Sequence, residues 1–65
     1  MRLYLKMVIL LKYGSQAAFA RSCAKTDDWV SRLITGRKDP NKEEKKLIRS
    51  KLGENYGERL FHFEK

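Results

Sequence analysis

The chain has 65 residues, which is enough for one small domain whose core buries about 60% of the surface that the unfolded chain exposes. It carries 15 Lys and Arg against 8 Asp and Glu, a formal net charge of +7, and the basic excess lies before residue 54. This balance indicates a polyanionic partner, most often nucleic acid and less often anionic lipid.

Several classes of protein are excluded at this stage. The single cysteine, Cys23, cannot form an internal disulfide, and no zinc site is expected without a second Cys or clustered His. The longest unbroken apolar run near the start is residues 7–11, whereas a membrane span needs about 20 residues. A signal peptide would leave little protein after cleavage. We therefore expect residues 1–65 to form one cytoplasmic domain without metal, cofactor or membrane segment.

The first predicted helix runs from about Leu3 to Lys12, and Gly14 ends it. Four apolar side chains at helical spacing share one face: Leu3, Met7, Leu10 and Leu11. Three more lie off that face: Leu5, Val8 and Ile9. A helix that is apolar nearly all round is expected to be covered on more than one side.

The second and third predicted helices are short and follow one another closely. Ser15 is placed to cap a helix from Gln16 to Cys23, and Thr26 is placed to cap a helix over residues 27–35. The buried stripe of the third helix is predicted to consist of Val30, Leu33 and Ile34. Gly36 fits the left-handed position after its last turn.

Two further helices complete the chain. Asn41 and Glu44 form a capping-box pattern that opens a fourth helix, which Gly53 ends. Asn55 and Glu58 repeat that pattern before a short fifth helix. With five short helices and no strand pattern, the sequence predicts an all-α domain.

The segment "SQAAFARSCAKTDDWVSRLITGR" joins these features in a specific order. Ser15-Gln16 opens the second helix, Phe19-Ala20 lies within it, and Ala24 lies at the bend; Val30 with Leu33 and then Gly36 follow. It resembles the helix-turn-helix, residues 15–36, of the Cro and lambda-repressor-type (XRE-like) DNA-binding proteins of bacteria and phage. The later "DPNKEEKKLIRSKLG" and "ERLF" also resemble this family, so the resemblance covers roughly residues 3–61.

The bend departs from the family pattern at two positions. Ala24 replaces the usual Gly, and Lys25 replaces the usual apolar residue. Because a left-handed Ala costs about 1 kcal/mol, mild strain or a slightly different turn is expected here.

The resemblance implies that the helix over residues 27–35 enters the major groove of DNA and reads bases. The implied base contacts are Asp27, Asp28, Ser31 and Arg32. Arg32 is suited to donate to guanine O6 and N7, and an aspartate to accept from cytosine N4. The two aspartates also have a purely structural interpretation, since carboxylates in a first turn stabilise the helix dipole. A third interpretation is that they act against wrong DNA sites.

The implied contacts to the DNA backbone come from the starts of helices and the loop after the third helix. They are Gln16, Thr26, Arg37, Lys38, Asn41 and Lys42. Backbone N–H groups at helix N-termini bind phosphate oxygens, so these contacts position the protein without specifying sequence. Trp29 is expected to pack partly against the second or fourth helix, and Cys23 to be a small buried hydrophobe.

The functional hypothesis is a non-enzymatic transcriptional regulator, with double-stranded DNA as partner and repression by operator occupancy as its action, in a phage, prophage or host circuit. The alternative is a protein-interaction module on the same fold that does not bind DNA specifically. Surplus apolar side chains on the first helix and in the tail (Tyr56, Leu60, Phe61 and Phe63) predict a homodimer through either or both. No catalytic triad, metal set or acid/base pair is recognisable, and no small-molecule substrate is expected.

Overall fold

A computed structural model describes residues 1–62, and within that range the chain forms five helical segments and no strand. They are α1 (Leu3–Tyr13), α2 (Gln16–Ser22), α3 (Asp27–Thr35), α4 (Lys42–Leu52) and a C-terminal 3₁₀ segment (Glu54–Phe61). The all-α prediction is confirmed. None of the helices in this range has the length and apolar character needed to cross a bilayer.

The predicted starts of three helices are confirmed in their hydrogen bonds. The hydroxyls of Ser15 and Thr26 accept from the backbone N–H groups three residues later, at 3.1 and 3.2 Å. Asn41 and Glu44 form a complete capping box, in which each side chain accepts from the other residue's backbone N–H, at 2.8 and 3.0 Å. These caps satisfy N–H groups that have no partner within the helix, so they fix where α2, α3 and α4 begin.

The core takes side chains from all five segments. Its buried members are Leu5, Val8, Ile9, Phe19, Ala20, Cys23, Val30, Leu33, Ile34, Ile48, Leu52, Leu60 and Phe61. Ala20 is only 1% exposed, and its small side chain allows helices to approach closely. The burial of Cys23 is also confirmed.

Within residues 1–62 helix α1 packs on one face only, so the further cover that the sequence predicts for it is not supplied by this single chain. Leu5, Val8 and Ile9 are at most 1% exposed. The opposite apolar set remains open, with exposed fractions of 50% for Leu3, 53% for Met7, 41% for Leu10 and 77% for Leu11. The other segments of this short chain pack against α1 from a single side. Its second apolar face therefore has no cover within residues 1–62.

The C-terminal segment differs from the predicted capped helix. Asn55 makes no capping hydrogen bond; the segment begins at Glu54 and is interrupted by Gly57, with φ 60° and ψ −145°. The Glu58 carboxylate instead pairs with Arg49 at 2.9 Å and Lys45 at 3.9 Å, both on α4. These longer-range ion pairs replace the local capping box that the sequence pattern suggested.

The tail contributes to the core rather than to a surplus apolar surface. Leu60 is fully buried, Phe61 is 9% exposed, and Tyr56 is half-buried against the core. The fourth predicted tail residue, Phe63, lies outside the described residues.

Arg2 holds the end of α3, the following loop and the C-terminal segment together, although it precedes the first helix. Its side chain is 5% exposed, and its guanidinium donates to the carbonyls of Leu33 at 2.6 Å, Lys38 at 3.2 Å and Phe61 at 3.2 Å. It also pairs with the Asp39 carboxylate. One side chain therefore fixes three segments that are distant in sequence.

Candidate nucleic-acid interface

Residues 23–26 connect α2 to α3 through a tight turn. Ala24 adopts a left-handed conformation with φ 58°, the only positive φ at a non-glycine residue in the described range. Its N–H donates to the Arg21 carbonyl at 3.1 Å, and the Lys25 N–H donates to the Ala20 carbonyl at 2.8 Å. The turn thus satisfies the end of α2 at the cost of the strain predicted for Ala24.

Helix α3 separates its side chains cleanly into two faces. Val30, Leu33 and Ile34 are at most 2% exposed and pack into the core. The four residues implied as base contacts are all exposed: Asp27, Asp28, Ser31 and Arg32. The outward face of α3 is therefore polar, uncovered and rich in hydrogen-bonding groups.

The two aspartates at the start of α3 have different surroundings. Asp28 forms an ion pair with Arg32, one helical turn later, at 2.9 Å between Oδ2 and Nε. Asp27 lines a depression of about 280 Å³ together with Arg21 and Lys25. The carboxylates therefore lie on different sides of the helix start, one beside α3's own arginine and one beside the basic residues around the turn.

Glu44 connects the third helix, the loop and the fourth helix. Besides its place in the capping box, it accepts from the Trp29 indole Nε1 at 2.9 Å and pairs with Lys38 Nζ at 3.4 Å. The Asn41 N–H, then the Trp29 indole and Lys38, lower the pKa of Glu44 despite its partial burial. Trp29 is half-buried, as predicted, and its indole bond joins α3 to α4.

Lys25 is a further candidate contact that the sequence analysis did not assign. Its ammonium lies 5.6 Å from the centre of the Trp29 ring. Lys25 also lines a second depression, of about 350 Å³, with Asn41, Glu43, Glu44 and Leu47. The sequence did contain a signal for Lys25, namely its departure from the family pattern. A lysine at a position that is usually apolar is expected to point away from the core.

The implied backbone contacts fall into two groups. Thr26 caps α3 at the end of the α2–α3 turn. Asn41 lines the same depression as Lys25 and Glu44, and Lys38 joins this group through its ion pair with Glu44. The other three implied contacts form no hydrogen bond or ion pair with this group in the described range. Gln16 is half-buried at the start of α2, and Arg37 and Lys42 are exposed.

Two further observations concern metal-binding side chains and the single thiol. Within residues 1–62 no group of three or more His, Cys, Asp or Glu side chains is arranged to hold a metal ion. Burial raises the pKa of the Cys23 thiol, although Lys51 and Lys25 act in the opposite direction, so the thiol is kept in its unreactive protonated form.

No protein-family model matches the chain, and no curated protein or solved structure is significantly similar to it.

Proposed function

We propose that this protein is a helix-turn-helix regulator that binds double-stranded DNA with α3 in the major groove. The observation that carries this proposal is the outward face of α3, where Asp27, Asp28, Ser31 and Arg32 are all exposed while the opposite face is anchored in the core. An α-helix with one rigidly packed face and one free polar face fits the major groove, where base edges present donors and acceptors.

The charge distribution around α3 supports a phosphate backbone as partner. Two carboxylates near the helix are neutralised, Asp28 by Arg32 and Glu44 by Lys38. Four cations in the surrounding segments make no ion pair with any residue of the described range: Arg21, Lys25, Arg37 and Lys42. Paired carboxylates repel phosphate less than free ones, and the unpaired cations remain available to displace counterions from DNA.

In this proposal the residues divide into two roles. Asp27, Asp28, Ser31 and Arg32 face the base edges, and the six backbone contacts named above, together with Lys25, fix the position of the domain on the duplex. The protein acts as a repressor that occupies its operator in the cytoplasmic nucleoid, and it needs no metal, cofactor or catalytic step.

A second copy of the chain is the proposed occupant of the open face of α1. Leu3 and Leu11 lie equally far from Met7 along α1. A two-fold axis at Met7 would therefore place Leu3 of one copy against Leu11 of the other. All five exposed large hydrophobic side chains in the described range belong to residues 1–11. A two-fold dimer would present two copies of α3 to a palindromic site.

The decisive experiment is a titration of random-sequence duplex DNA across a salt series, followed by selection of the best-bound sequences. Binding that weakens steeply with salt and enriches a short palindrome is the expected result. Lys42→Gln should reduce the salt slope by about 0.9 per bound protomer, or about 1.8 for a dimer, whereas Lys12→Gln, at an exposed residue of α1, should leave it unchanged. No binding at low salt, or equal slopes for both variants and the wild type, would contradict the proposal.

The rival function, a protein-interaction module, gives a different result in the same assay. If the wild type does not bind DNA but the double variant Asp27→Asn/Asp28→Asn does, the aspartates exclude DNA and the interaction function is correct. If the protein is a DNA-binding regulator, the wild type itself should bind DNA.

The dimer is tested by sedimentation at tens of micromolar protein. Leu11→Lys should convert dimer to monomer without unfolding, because Leu11 is 77% exposed in the single chain. Ser50→Lys is the control, since it adds the same charge at an exposed site on α4. A monomeric wild type would contradict the proposed dimer and leave the DNA-binding proposal to its own test.

A further inference from the structure

The ion pair on the outer face of α3 is positioned differently from an ordinary surface salt bridge. Asp28 Oδ2 lies 2.9 Å from Arg32 Nε, and the side chains are 69% and 59% exposed. Neither side chain forms a hydrogen bond or ion pair with another element in the described range, so the pair does not join parts of the fold in this way. An exposed pair of this kind contributes little to stability. Its exposed position suggests a role in binding by α3 rather than in the stability of α3.

The geometry of the pair leaves the recognition edge of the arginine open. A guanidinium has five N–H donors, and the bond to Asp28 uses the one on Nε. The two terminal nitrogens remain able to donate together, which is what guanine O6 and N7 require in the major groove. A carboxylate bound at Nε also limits the rotation of the side chain, so less conformational freedom is lost when Arg32 binds a base.

We propose that Asp28 is a specificity-determining residue that holds Arg32 in position to read a guanine in the major groove of the target site. This inference rests on the proposed function and deepens it, because it names one base of the operator and the residue that orients its reader. It also separates the roles of the two aspartates: Asp28 orients the arginine, whereas Asp27 does not.

Asp27 is the matched control for this role. It is the next residue in the chain, it carries the same charge in the same first turn of α3, and it is exposed. It forms no ion pair within residues 1–62 and lies beside Arg21 and Lys25 instead. Removing either carboxylate takes the same charge away from the phosphates and from the helix dipole, so at the guanine position the two variants differ through the orientation of Arg32.

The experiment selects duplexes from a randomised library with four proteins: wild type, Asp28→Ala, Asp27→Ala and Arg32→Ala. The wild type should enrich a guanine at one position by about tenfold, and Arg32→Ala should lose that preference. Asp28→Ala should still bind DNA, but the guanine preference should fall at least about threefold. Asp27→Ala should keep the guanine preference at that one position, whatever preference is lost at the base that Asp27 itself faces. Both aspartate variants should bind non-target duplexes somewhat more tightly, because a negative charge near the phosphates is gone.

A second readout follows the pair in the free protein. The ¹⁵N NMR signal of Arg32 Nε–H should shift in Asp28→Ala and stay in place in Asp27→Ala. An unchanged signal in Asp28→Ala, or a guanine preference that survives that substitution, would overturn the orienting role while DNA binding itself still stands. A wild type that binds no DNA even at low salt would instead refute the proposed function, and the inference with it.

Discussion

Replacement of Arg2 by methionine is the most informative test of how this fold is held together. Methionine keeps much of the apolar stem and removes every donor, so the carbonyls of Leu33, Lys38 and Phe61 lose their guanidinium partner. Hydrogen bonds to a charged group contribute about 1.5–3 kcal/mol each, but water can reach some of the freed carbonyls at the edge of the core. Asp39 adds little to the loss, because its side chain is 87% exposed and becomes hydrated.

We therefore expect Arg2→Met to lower the free energy of unfolding by about 3 kcal/mol, a large share of the roughly 3–10 kcal/mol available to a domain of this size. Urea and thermal denaturation followed by circular dichroism measure it, and the Tm should fall by at least about 10 °C. Arg37→Met is the control, since it makes the same substitution at an exposed position without an ion pair in the described range. A loss below about 1 kcal/mol would refute the reasoning, because it would mean that water replaces the guanidinium at all three carbonyls.

Three further predictions concern the turn, the Glu44 network and the thiol. Ala24→Gly should raise stability by about 0.5–1 kcal/mol in urea denaturation, because relief of the left-handed strain exceeds the added freedom of the unfolded chain, whereas Ala17→Gly in α2 should lower it. Because the pKa of Glu44 is lowered in the fold, its contribution is present above the unfolded value of about 4.3 and is lost as the pH falls through the folded value. Glu44→Gln should therefore make the free energy of unfolding fall less steeply on acidification; a slope equal to the wild type's would contradict this. Cys23 should react with iodoacetamide far more slowly in the native protein than in urea, and equal rates would show that the thiol is accessible.

The local features of the fold were predictable because their causes lie within a few residues. A cap such as Ser15 or Thr26 acts on an N–H three positions away, and Gly36 adopts its left-handed φ of 88° at the helix end that it terminates. The strain at Ala24 was predictable for the same reason, once the resemblance placed a bend there. The repeated cap at Asn55 was predicted wrongly: the segment begins at Glu54, Gly57 interrupts it, and the Glu58 carboxylate pairs with residues of α4 instead.

The candidate site was only partly predictable. The exposure of Asp28 and Arg32 followed from helical periodicity, and their spacing of four residues allowed an ion pair. The contacts of Trp29 with Glu44 and with Lys25 required the packing of α3 against its neighbours, which no spacing in the sequence encodes.

The sequence by itself determined the number of helices, where most of them begin and end, and which face of α3 is apolar, since caps, helix ends and helical periodicity depend on residues close in the chain. The tertiary structure decided which apolar face of α1 is covered, because both faces have suitable periodicity and only one can meet the rest of so short a chain. It also decided the role of Arg2, whose partners at Leu33 and Phe61 lie 31 and 59 residues away. Such contacts form only when distant segments converge, so their physical cause is the packing of the whole domain rather than any local pattern.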